Sequence, residues 1–187
     1  MKKIIKYSQF INEMWDTIPE IQILKKDIRE EDAIYEFNID DIPYQVLITT
    51  RRYDDNKEDL QLEIHFSAKP QGGSKYTTEL TGRNNMQKVM GSVWYCIIQW
   101  AKEVCKGGYL ISLIISAKSE EKGDSRRAKI YSDFIARKAS QVGIKISGEE
   151  DISKVYDEIS IALGGSSDSV TTRYSIDKFP IDKLRSL

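Results

Sequence analysis

Two residues in one short stretch have the types needed to move a proton. In "LQLEIHFSAK", which begins at Leu60, Glu63 and His65 stand two positions apart. The stretch alternates apolar and polar residues as a strand does. Leu60, Leu62, Ile64 and Phe66 then project from one face, and Gln61, Glu63, His65 and Ser67 from the other. A carboxylate or imidazole held beside an amine acts as a general base. Taken alone, the pair reads as ordinary polar positions on an exposed sheet face. A second stretch, "TGRNNMQK" from Thr81, leaves a strand-like segment and enters a long helix. Backbone N–H groups at such a corner can hold a phosphate. Its candidates are Gly82, Arg83, Asn84 and Asn85, with Lys88 adding charge. The plainer expectation is that Gly82 turns the chain and Asn84 or Asn85 caps the helix. A third feature is Arg126 and Arg127 in the first turn of a later helix, where acids are usually preferred. Glu120 and Glu121 are the nearest groups able to offset them. Metal chemistry has little to build on: His65 is the sole histidine, and the two cysteines form no paired motif. Cys96 and Cys105 lie nine residues apart on one predicted helix, roughly half a turn out of phase, and read as free thiols.

The elements that must carry these residues are legible from periodicity. Tyr7, Phe10, Ile11, Met14, Trp15 and Ile18 recur at helical spacing before Pro19, and "KKDIREED" follows as a charged connector. Strands are expected at "AIYEFNI" (33–39), "PYQVLITTRRY" (43–53) and "LQLEIHFSAK" (60–69), with a turn at Asp40–Asp41 and a hairpin loop in "DDNKED". "YTTEL" (76–80) adds a short candidate strand. A helix from about Asn84 to Cys105 carries the stripe Val89, Val93, Ile97 and Ala101, widened by Met86, Met90, Trp94 and Ile98, and ends at Gly107–Gly108. "YLISLIISAK" from Tyr109 is almost unbroken in its apolar character, the pattern of a strand covered on both faces. A second long helix starts near Asp124 or Ser125 and buries Ala128, Tyr131, Phe134, Ile135 and Ala139. "VGIKIS" reads as a short strand, residues 149–163 as a third helix, "VTTRYSI" as a last strand, and "DKFPIDKLRSL" as a loose or docked tail.

The totals set the outer limits. A chain of 187 residues, 40% hydrophobic and 30% charged, has a globular composition with room for one core. We expect an amino-terminal helix or targeting peptide over 1–20 and a single α+β domain over 33–187. The 28 basic and 29 acidic residues leave a formal charge of -1, which argues against a nucleic-acid coat or an anionic-membrane binder. No apolar run is long enough to span a bilayer, and no signal peptide is expected.

The order of elements is similar to the acyl-CoA N-acetyltransferase (GNAT) superfamily: a meander of three to four strands, a long helix, a buried strand, a second helix and further strand. The resemblance covers about Ala33 to Ser147. It implies an acyl-CoA cofactor whose pyrophosphate meets the corner at Gly82, Arg83, Asn84 and Asn85. One glycine and one arginine of the family's loop are present there, and its spaced glycines are not. "DSRRAKIYSDFIARKA" resembles the family's later-helix motif, with Asp124 near the asparagine position, Ala128 one place off and Ile130–Tyr131 at leucine–tyrosine. It implies Tyr131 as the acid that protonates the leaving thiolate; a half-buried aromatic in the helix stripe is the plainer reading.

"YSQFINE" from Tyr7 resembles the amino-terminal peptides that route internal head proteins into tailed-phage proheads, and Ile11–Asn12–Glu13 fits the cleavage rule of the head protease. With the glycine-poor corner, this leads to a first expectation. The chain is a phage-encoded accessory or virion-associated protein on a GNAT-like scaffold, without acyl transfer or cofactor, in the host cytoplasm or packaged in the head, with a phage head protein as partner. The alternatives are an acetyl-CoA-dependent N-acyltransferase with a divergent phosphate loop, and a module that binds a host protein through the amino-terminal helix, with Phe10 and Trp15, or through the carboxyl-terminal tail.

Overall fold

The structure, a computed structural model, describes residues 21–53, 55–69, 86–118, 126–154, 156 and 169–187. The expected amino-terminal helix and the candidate strand at 76–80 lie outside these residues. In chain order the elements are β1 (Ile23–Arg29), β2 (Asp32–Ile39), β3 (Ile42–Arg52), β4 (Asp59–Ala68), α1 (Met86–Glu103), β5 (Tyr109–Lys118), α2 (Arg126–Gln141), β6 (Ile146–Asp151), β7 (Ser169–Pro180) and a short α3 (Asp182–Arg185). The strands form one seven-stranded sheet in the order β1-β2-β3-β4-β5-β7-β6. Every neighbouring pair is antiparallel except β4 and β5, which run parallel around α1. This α+β architecture has the expected order of meander, long helix, buried strand, helix and further strand.

Local chemistry explains most of the boundaries. Asp40 and Asp41 both take positive φ, 46° and 65°, and Ile39 pairs directly with Ile42. A two-residue turn with both residues left-handed matches the twist of a hairpin, and Asp tolerates that region better than most residues. One face of the sheet carries the core. Tyr35, Phe37, Val46, Ile48, Leu62 and Ile64 are buried there in one cluster with residues of both α1 and α2. The predicted α1 stripe is buried from Val89 onward, and Trp100 Nε1 donates to the Glu31 carbonyl at 2.7 Å. Both cysteines are free and buried, and burial pushes both thiols up from the ordinary cysteine range. No described helix is long and apolar enough to cross a membrane.

Two expectations need correction, and the choice between a loose and a docked tail is settled. The charged connector is β1, an edge strand paired with β2 from Ile23↔Phe37 to Arg29↔Asp32. It has no apolar alternation because it stands at the sheet margin, where lysines are tolerated and discourage further pairing. Residues 149–151 are strand and not the start of a third helix. Glu149, Glu150 and Asp151 pair with Tyr174, Arg173 and Thr172, so the ladder with β7 overrides a helix-prone sequence. Asp151 Oδ1 then accepts the Ser153 N–H at 2.9 Å and begins a helical turn there. The carboxyl-terminal tail is docked. β7 runs on to Pro180, and Ile181 and Leu184 are 0% and 1% exposed. Arg185 donates to the Ala101 carbonyl at 2.9 Å and to the Cys105 carbonyl, satisfying acceptors at the carboxyl end of α1.

The chain leaves α1 through Gly107 and Gly108, with φ of 98° and 109°. A Cβ on Gly108 would stand 2.4 Å from the Glu58 carbonyl oxygen, whereas one on Gly143 (φ 85°) would meet nothing within 4 Å. Gly108→Ala should therefore lose ~3 kcal/mol of unfolding free energy, combining dihedral strain with a backbone clash, and Gly143→Ala only about 1 kcal/mol of strain. Urea unfolding of the two variants checks this. Equal losses would show that the close approach of the α1 exit to the β3–β4 loop is relaxed in solution.

Candidate functional site: a carboxylate-oriented histidine at a strand fork

The sheet face opposite the helices is polar. Register places Gln61, Glu63 and His65 of β4 beside Arg51, Thr49 and Leu47 of β3 on one side. Ser112, Ile114 and Ser116 of β5 flank them on the other. Beyond β5 come Ser175, Arg173 and Thr171 of β7, with Glu150 of β6 opposite Arg173. The expected exposed face is in fact closed over the carboxylate: Glu63 is 5% exposed. Ile114 and Ile152 are buried outside the main core cluster, and the Ile152 N–H donates to the Thr171 carbonyl at 2.9 Å, so residues after β6 lie against this face.

Glu63 Oε1 and His65 Nε2 are 2.7 Å apart. Burial alone would raise the Glu63 pKa, but the hydrogen bond from His65, the Tyr156 hydroxyl and the charges of His65 and Arg51 outweigh it, and the net direction is down. An ionised carboxylate can only accept, so when the ring is neutral Nε2 carries its proton and Nδ1 presents a lone pair. A carboxylate that fixes the tautomer and stabilises the imidazolium is the arrangement that makes a histidine an effective base. Tyr156 sits beside the pair. Burial first, and its approach to Glu63 second, push its hydroxyl up from the usual tyrosine range, so it stays protonated as a donor. Glu63 Oε2 has no partner at hydrogen-bond geometry, and Arg51 Nη2 stands 3.8 Å away. Arg51 reaches Glu63 diagonally: it lies opposite Gln61, one pair along, a span that a long side chain bridges.

The backbone adds a second feature. The β4–β5 ladder runs from Asp59↔Tyr109 to His65↔Ser116 and stops. β4 continues to Ala68 and β5 to Lys118, each held only by its other neighbour. The two strands therefore part just past His65. Their facing edges carry peptide N–H and C=O groups with no ladder partner among the described residues, able to bind an extended amide-bearing chain.

Of the residues singled out in the sequence, the structure brings Glu63 and His65 together. Gly82, Arg83, Asn84 and Asn85 lie outside the described residues. Tyr131 falls on α2, with its side chain outside them as well. Lys88 is exposed and paired with Asp40, Nζ to Oδ1 3.0 Å. Arg51, Arg173 and Tyr156 were missed. Arg51 and Arg173 become neighbours of the site only through strand register, which local alternation does not fix. Tyr156 falls in the stretch 149–163, which the sequence reads as a helix. Among the described residues, no group of three His, Cys, Asp or Glu side chains is placed to hold a metal ion.

No protein-family model matches the chain, and no curated protein does. Among solved structures, it is similar to the acetyltransferase of GNAT family from Streptococcus pneumoniae, at 12% identity and a TM-score of 0.36, over 93% of this chain and 78% of that one.

Proposed function

We propose that the chain transfers an acyl group from an acyl-CoA thioester to an amine, with His65 as the general base and Glu63 as the residue that positions it. The observation that carries this reading is the base at the fork: the Glu63–His65 pair, 2.7 Å apart, stands where β4 and β5 separate. The parted edges fit the extended, amide-containing arm of coenzyme A, which can bond to unpaired peptide groups as a short strand does. An amine beside His65 gives its proton to Nδ1 as its nitrogen bonds to the thioester carbon. Collapse of the tetrahedral adduct breaks the carbon–sulfur bond and releases a thiolate, which takes a proton from an acid. By the GNAT resemblance that acid is Tyr131, and Gly82, Arg83, Asn84 and Asn85 receive the pyrophosphate.

The missing loop glycines weigh towards a scaffold that has lost transfer. The buried carboxylate weighs against it, since burying Glu63 without a use for it has a cost that an apolar residue would avoid. Thermal shift decides between the two. Acetyl-CoA at about 100 times its dissociation constant should stabilise the fold by ~2.7 kcal/mol, roughly 5–10 °C for a chain of this size. No shift at millimolar acetyl-CoA returns the protein to the non-catalytic reading. The delivery-peptide reading of residues 7–13, and with it placement in a phage head, is a separate proposal that the catalytic one neither needs nor disturbs.

A further inference from the structure

Beside the Glu63–His65 pair lies an open cleft of about 450 Å³ lined by Arg51, Arg52, Tyr53, Gln61 and Arg173. Its three guanidinium groups differ in what they already hold. Arg52 is spent: Nε and Nη2 bond to the Glu31 carboxylate at 2.6 and 2.5 Å, Nη1 to the Lys57 carbonyl at 2.7 Å and Nη2 to the Gly107 carbonyl at 2.9 Å. Among the described residues, Arg51 and Arg173 meet only loose ion pairs, 3.8 Å to Glu63 and 3.6 Å to Glu150. Neither donates a side-chain hydrogen bond to a described residue at ordinary geometry, and Arg173 Nε is buried without a partner. Tyr53 and Gln61 join across the cleft at 3.4 Å, a weak contact that leaves both polar tips available.

We infer that this cleft is a subsite for an oxyanion, a carboxylate or phosphoryl group, on the substrate whose nucleophile His65 deprotonates. Two planar guanidinium groups facing one space from neighbouring regions of the sheet match a group with two or more acceptor oxygens better than a point charge would. The desolvated Arg173 Nε is a donor that such a group satisfies. Gln61 and His65 project from the same face of β4 four residues apart, ~13 Å along the strand. The cleft runs from Gln61 to Arg51, which stands 3.8 Å from Glu63, so the acceptor class is an amine that also carries a carboxylate or phosphoryl group. As a statement about the acceptor this rests on the acyl-transfer reading; as a statement about anion binding it does not.

Isothermal titration calorimetry with inorganic phosphate and with glutarate, at constant ionic strength, tests it. The wild type should bind at least one of them saturably at one site per chain, and the tighter of the two assigns the phosphoryl or carboxylate source. Arg51→Met and Arg173→Met should each weaken binding about tenfold or more. Lys25→Met, which removes the same charge from exposed β1, should leave it unchanged. Binding of neither anion overturns the inference, and so does an equal loss in Lys25→Met. Anion binding without acyl transfer upholds the subsite while the catalytic reading fails; transfer without anion binding does the reverse.

Discussion

His65→Asn should lower the rate of acyl transfer by about 10²–10⁴-fold, the usual contribution of a positioned general base, while leaving the acetyl-CoA thermal shift in place. Asparagine keeps a polar side chain at the same position on β4 and has no titratable lone pair. Glu63→Gln should fall in the same range for a different reason. A glutamine amide can donate its N–H to Nε2, which moves the ring proton to Nδ1 and leaves nothing to accept the proton of the amine. It also removes the charge that stabilises the imidazolium. Both losses should appear in kcat, because neither residue is assigned to hold the thioester. The measurement is steady-state transfer from acetyl-CoA to a panel of anionic amines, beside a melting curve for each variant. Transfer within about threefold of wild type in His65→Asn removes the histidine from the reaction, whatever the fold resembles.

How much of this could be read in the sequence differs from element to element. The pattern of α1 was legible because its apolar spacing is strong and glycines end it. β5 was legible because a strand covered on both faces has no polar break. β1 was not, since an edge strand draws its stability from pairing with β2, and its "KKDIR" has no alternation to read. Residues 149–151 failed for a related reason: acids in a row favour a helix locally, and only the partner strand, with Arg173 opposite Glu150, makes them a strand. The site divides along the same line. Glu63 and His65 share a strand face, so spacing alone placed them together. The burial of Glu63 depends on the segment after β6, which spacing cannot place. Arg51 and Arg173 are 122 residues apart by subtraction of their numbers, and no local rule connects them. Strand order does, since β4 and β5 are the two strands between β3 and β7.

The Arg52 clamp should produce a loss of stability comparable to that of Gly108→Ala. Arg52→Ala should cost ~2–4 kcal/mol, towards the lower part of the range for breaking a buried pair because the two side chains are 24% and 13% exposed. The substitution leaves the Glu31 carboxylate with the Lys106 N–H at 3.0 Å, and the carbonyls of Lys57 and Gly107 without their donor. Arg52→Lys should recover little, because one ammonium cannot reproduce a two-pronged bond to Glu31 while also reaching two carbonyls. The pH dependence carries a sign that packing loss alone lacks. The hydrogen bond from Arg52 holds the Glu31 carboxyl below its ordinary 4.5, against the opposing effect of burial. A depressed folded pKa contributes stability that is present above 4.5 and disappears as pH falls through the folded value. The gap between wild type and Arg52→Ala should therefore be widest near neutral pH and narrow below pH 4.5, read as urea-unfolding free energy at each pH. A gap that does not change with pH would mean that Arg52 acts through its carbonyl contacts and not through Glu31. The same variant separates scaffold from subsite. Arg52 fixes the end of β3, from which Arg51 and Tyr53 enter the cleft, yet its own donors are already used. Well below its melting temperature, Arg52→Ala should thus keep anion affinity closer to wild type than Arg51→Met does. If it loses as much, the clamp and the anion subsite are one unit, and holding β3 in place is itself what aims Arg51 at its ligand.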